Sequence, residues 1–149
     1  MDVRIVLILA IVTLAGCGPA ANSAARDETK ESWYPSAVAQ LAQIARDANN
    51  AFEQHKGDQA AALIEKGTPI ENRVLRVNHP TLDAEIAASD LDDLYGRMLL
   101  SNRHFGWARL MFQKNLARWK HWTPETPDTI ARRQHAQAQI DECDKNIPQ

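Results

Sequence analysis

Apolar residues along most of this chain recur every three or four positions. Val38, Leu41, Ala42, Ala45, Ala48 and Phe52 fall on one side of a helix over about 35–55. Ile86, Leu91, Leu94, Tyr95, Met98 and Leu99 make the stripe of another over about 82–102. Ala108, Phe112, Leu116 and Trp119, broadened by Phe105, Leu110 and Met111, make that of a third over about 105–119. No segment shows the strict alternation of a half-buried strand. Val and Ile are sparse, while Ala, Leu, Gln, Arg and Lys dominate, which is helix-forming chemistry. The pattern predicts an all-α fold of antiparallel helical hairpins.

The breaks between stripes carry turn chemistry. Lys56-Gly57-Asp58 reads as a stop and restart, with Gly57 in the left-handed position after a helix and Asp58 capping the next. That next helix spans about 59–66 and ends at Gly67. Thr68-Pro69-Ile70-Glu71 then reads as a capping box opening a short helix to about Val77, and Asn78-His79-Pro80 breaks it. Thr123 to Asp128 forms a loop. A last helix over about 129–145 is rich in Ala and Gln and poor in large apolar residues, so it covers the end of the core.

The first residues differ from the rest. Met1-Asp2-Val3-Arg4 carries one positive charge, and Ile5 to Ala15 is an apolar run interrupted only by Thr13. A membrane-spanning helix needs about 20 such residues, so this shorter run suits the core of an export signal. It ends Leu14-Ala15-Gly16-Cys17, which resembles the lipobox of bacterial lipoproteins. The resemblance implies cleavage before Cys17 and lipidation of its thiol, hence a membrane partner and a place in the cell envelope. Gly18, where Asp often marks retention in the inner membrane of Gram-negative members, implies the outer membrane, facing the periplasm, if the organism is Gram-negative. An ordinary signal peptide or a buried apolar helix is the alternative, and Gly16, Gly18 and Pro19 argue against the helix. The expected organisation is a signal peptide at 1–16, a lipidated cysteine and flexible tether at 17–34, and a helical domain at 35–149. Residues 18–34 hold small and charged side chains without a periodic apolar face.

In the second half, Leu94-Tyr95-Gly96-Arg97-Met98-Leu99-Leu100 and Gly106-Trp107-Ala108-Arg109-Leu110-Met111-Phe112 together resemble a tetratricopeptide repeat, a pair of antiparallel helices. Gly96 stands where the pattern needs a small residue, with Ala108 and Phe112 at the matching places in the second helix. Asp92 stands where a Trp is common and Lys120 where the closing proline is expected. An unrelated helical hairpin with small residues at its crossing fits the same positions. Asn78 to Ala84 also echoes Glu125 to Ala131, with Pro80 matching Pro127. The repeat resemblance implies a concave groove for a partner peptide or helix, with Arg97, Arg103 and Arg109 as candidate contacts.

Charge refines this picture. The chain has 149 residues and a net charge of −2, which gives no reason to expect nucleic acid. Residues 17–96 carry 7 basic and 13 acidic side chains, and residues 97–149 carry 9 and 5. The imbalance suits either two faces that attract each other within one fold or a basic face for an anionic partner. In Arg118-Trp119-Lys120-His121-Trp122, aromatic and basic side chains interleave. Trp119, on the stripe, reads as packing, and Trp122 as the exposed candidate for a glycan or lipid.

Nothing in the chain has the spacing of a catalytic or metal site. The five histidines include no pair four residues apart, there is no phosphate loop, and Cys143 is a lone thiol once Cys17 is lipidated. The expectation is a protein that is not an enzyme and has no cofactor. It acts as a lipid-anchored envelope module that binds or scaffolds another protein. The alternative is a small envelope protein that binds glycan or anionic lipid.

Overall fold

The computed structural model describes residues 27–147. Over that span the chain is all-α. A single 3₁₀ turn at Glu28–Lys30 leads into α1 (Trp33–Glu53), α2 (Gly57–Val74), α3 (Leu82–Ser101), α4 (Phe105–His121) and α5 (Pro127–Asn146). The expected signal peptide, Cys17 and tether positions 18–26 lie outside the described residues. Among the described residues no helix is long and apolar enough to cross a membrane.

Helix α1 pairs with α2 and α3 with α4, each across a turn too short for anything but an antiparallel hairpin; α3 joins the hairpins by packing on α1 and α2, and α5 closes against α4. The main core lies in the first three helices. Tyr34, Leu41, Ile44, Ile64, Val74, Leu91 and Leu94 are all buried in it. A second, smaller cluster of Ala108, Phe112, Ile140 and Cys143 joins α4 to α5.

Helix α2 departs most from the sequence expectation. It does not stop at Gly67 and restart with a capping box, but runs unbroken through Pro69. Proline removes one backbone hydrogen bond, and the Thr68 hydroxyl donates to the Ile64 carbonyl at 2.9 Å beside it. The helix persists because Ile64, Gly67, Glu71 and Val74 continue one buried stripe. Gly67 is a crossing point: a Cβ there would lie 2.8 Å from Leu91 Cδ2 and 3.1 Å from Ile44 Cγ2.

Both hairpin turns close in the same way without glycine. His55 (φ 59°) and Arg103 (φ 62°) take the left-handed position. The next amide in each turn, Lys56 or His104, donates back to Ala51 at 2.9 Å or to Leu99 at 2.8 Å. Gly57, expected in that role, is instead the first residue of α2.

The expected tether also ends earlier than residue 34. Trp33 and Tyr34 belong to α1. Tyr34 is buried, and its hydroxyl accepts the Thr81 amide at 3.0 Å, tying the start of α1 to the start of α3. Thr81 caps α3 and Thr126 caps α5, each through its side-chain oxygen. The echo between these two stretches is therefore one of helix starts, with Thr81 matching Thr126 rather than Pro80 matching Pro127.

Candidate functional site: a groove across α1, α3 and α5, and a charged seam beneath α4

The α3–α4 crossing sits where Gly96 was read as a close approach. A Cβ on Gly96 would lie 2.7 Å from the Phe112 ring, so the two backbones come as near as an aromatic edge allows. Ala108 and Phe112 are fully buried on α4. The rest of the α3–α4 seam is polar. Trp119 Nε1 donates to Ser89 Oγ at 2.9 Å, and Asn115 donates to the Ser89 carbonyl at 3.0 Å.

Beside that pair lies a buried ion cluster. The Arg118 guanidinium binds Glu85 at 2.7 Å and Asp92 at 3.0 Å, stands 3.8 Å from Glu71, and donates to the Asn115 side chain. Lys114 bridges Glu71 at 2.7 Å and Asp92 at 2.8 Å. Three carboxylates thus share two cations, with Arg118, Glu71 and Asp92 buried and Lys114 reaching them from a half-exposed rim. Burial, and then the charge of Asp92, push the Glu71 carboxyl above its ordinary range, while Lys114 and Arg118 pull the other way. Burial opposes the charge on Lys114, yet Asp92 and Glu71 outweigh it and hold the ammonium above its usual value.

On the other side of α3 three depressions run into one another. The first, about 510 Å³, has Pro35, Val38, Ala42 and Ile86 as its apolar lining and Arg46, Asp83 and Asp90 among its polar residues. It shares Arg46 and Asp90 with the second, about 340 Å³, which adds Asn49, Asp93 and Arg97. That one shares Asp90 and Asp93 with the third, about 300 Å³, which reaches Asp128, Arg132 and His135. The result is one groove across α1, α3 and α5. Its polar residues tie the helices together: Arg132 binds Asp90 and Asp128, His135 meets Asp93 at 2.9 Å, and Arg97 joins Asp93 at 2.9 Å to Asn49 on α1 at 2.6 Å. Arg46 bonds only to Gln43 of its own helix and carries the groove's one cation without a carboxylate partner among the described residues.

The residues singled out from sequence do not meet in one place. Arg97 lines the groove but is held by Asp93, Asn49 and Glu53. Arg103 lies in the α3–α4 turn, exposed. Arg109 pairs with Asp144 on α5. Trp122 is only half-buried, in a shallow depression with Glu85, Lys114, Arg118 and His121, where the one arginine is already engaged. The most exposed aromatic among the described residues is Trp107 (65%), and Tyr95 and Leu110, both read as part of apolar stripes, are 42% and 49% exposed. Cys143 is buried between α4 and α5, and burial followed by the charges of Asp144 and Glu142 pushes its thiol up. Among the described residues no group of three His, Cys, Asp or Glu side chains is placed to hold a metal ion.

Sequence reading missed the ion cluster. Glu71 looked like a capping residue and Asp92 like a departure from a repeat pattern, and nothing local links either to Lys114 or Arg118. Set against protein-family models, curated proteins and solved structures, the chain matches none.

Proposed function

We propose that this protein is anchored in the cell envelope by lipid on Cys17 and that its helical domain binds or scaffolds another protein through the groove across α1, α3 and α5. The observation that carries the reading is the continuity of the groove: the first two depressions share Arg46 and Asp90, and the last two share Asp90 and Asp93. A cleft of that kind, apolar at the α1 end and polar beyond, suits an extended segment or a helix better than a small molecule, whose sites are enclosed. The anchor rests on Leu14-Ala15-Gly16-Cys17 after a short apolar run. The likeness of the α3–α4 hairpin to a tetratricopeptide repeat supports the same use of the groove.

The test fills the groove without touching the core. Ala42 is half-buried in its wall, so Ala42→Trp blocks it, and Arg46→Glu inverts its unpaired charge. A protein captured from envelope extract by the native chain and lost with both variants supports the reading. Capture that is indifferent to both variants, or recovery of lipid or glycan alone, contradicts it.

A further inference from the structure

Helix α4 carries no carboxylate of its own. Between Asp93 and Glu125 the chain holds Arg97, Arg103, Arg109, Lys114, Arg118 and Lys120 and not one acidic residue. Four of these six are neutralised inside the fold, as described above. Arg103 just before α4 and Lys120 near its end are exposed and have no ion-pair partner among the described residues. Between them, Trp107 and Leu110 stand exposed one turn apart, on the side of the helix away from Ala108, Phe112, Asn115 and Trp119. With Arg103 in the turn before the helix and Lys120 near its far end, this indole and leucine make a short interfacial surface.

We propose, resting on the reading that Cys17 carries the anchor, that this outer face of α4 lies flat on the anionic lipid of the membrane that holds the protein. Charge selects this occupant. In a twofold pair of α4 faces the cations would meet cations with no carboxylate to answer them, and two exposed apolar side chains fall far short of the roughly 1,200 Å² that stable association needs. An anionic bilayer answers both cations and accepts the indole at the headgroup level. The contact is weak by itself, and the anchor makes it local, because Asp27 lies ten residue steps from Cys17, at most about 35 Å. The groove stays clear of the lipid, because α4 reaches it only through Asn115, on the buried side of the helix away from Trp107 and Leu110.

The test supplies the anchor chemically, so it does not depend on lipidation in the cell. Residues 17–149, which contain the whole described fold, are coupled through Cys17 to a maleimide lipid, with Cys143 protected by burial. The product is placed in vesicles of brominated phosphatidylcholine with or without phosphatidylglycerol. The expected result is tryptophan quenching roughly twofold or more stronger on the anionic vesicles, reduced by salt. Trp107→Phe should abolish it, and Arg103→Glu with Lys120→Glu should remove its dependence on phosphatidylglycerol. Quenching unchanged in Trp107→Phe, equal on both vesicle types, or replaced by dimerisation on the vesicles overturns the proposal. If native material carries no lipid on Cys17 while quenching holds, the anchor reading fails and the lipid-binding face stands. If lipid is present and quenching is absent, the face alone fails.

Discussion

The two halves of this domain are held by different forces. Helices α1, α2 and the facing side of α3 bury a run of aliphatic side chains around Leu41, Ile44, Leu91 and Leu94. Helices α4 and α5 share a smaller buried cluster of Ala108, Phe112, Ile140 and Cys143, with Leu99, Leu100 and Leu116 packed against it. Charged groups supply what that small cluster lacks: Arg118 and Lys114 under α4, Arg109 to Asp144, and Arg132 and His135 from α5 to α3. Apolar burial is indifferent to salt and pH, whereas exposed ion pairs weaken in salt. The first hairpin should therefore be the stable frame and α5 the element that opens first, which also makes the α5 end of the groove its adjustable wall.

The largest expected effect comes from breaking the seam. Arg118→Met leaves Glu85, Asp92 and Glu71 with Lys114 alone, and losing one side of a buried charge cluster costs about 3–5 kcal/mol. Urea unfolding should show it, and a change under about 1 kcal/mol would place the stability of the second half elsewhere. In the first half, Leu91→Ala removes a side chain that fills the space over Gly67 and costs about 3 kcal/mol. This loss should be the same at low and high salt, whereas the loss in Arg118→Met should change with pH. Gly96→Ala is expected next, at about 1–3 kcal/mol, because the new methyl would sit 2.7 Å from the Phe112 ring unless the helices part.

Those effects divide what was readable in the chain from what was not. The periodic stripes placed α1, α3 and α4 within a few residues, because helix faces that bury large aliphatic side chains announce themselves at three- and four-residue spacing. The close approach at Gly96, with Ala108 and Phe112 facing it, was expected only through the likeness to a tetratricopeptide repeat. Helix α2 was misread because Gly67 and Pro69 look like a local stop, and only its packing against Ile44 and Leu91 explains why it continues. The turns hid behind Gly57, while His55 and Arg103 took the strained positions. The groove was foreseen only in kind, since it arises where α1, α3 and α5 meet. The ion cluster was invisible, because its ion-pair partners lie 22 to 47 residues apart.

Smaller effects sharpen the contrast by pH. The Glu71 carboxyl is shifted above its ordinary value of 4.5, so the folded chain holds that proton more tightly than the unfolded one. Its contribution to stability is fullest below pH 4.5 and declines as pH rises through the folded value. Glu71→Gln removes that decline and leaves two carboxylates facing two cations, so at neutral pH it should change stability by no more than about 1 kcal/mol. Lys114 is shifted up from 10.5, so its contribution is complete below that pH and is lost as pH rises beyond it. Thermal unfolding across pH should show this alkaline loss in the native chain and not in Lys114→Met. Smallest of all, Tyr34→Phe should cost about 1 kcal/mol by leaving the Thr81 amide without its acceptor.

Placement in the envelope underlies every use suggested for the groove and for α4, and the mass of the mature chain isolated from native membranes tests it most directly. A protein whose first residue is Cys17, heavier by the mass of fatty acyl groups, is the predicted result. A chain that still carries Met1, or a Cys17 thiol free to react with an alkylating reagent, contradicts it.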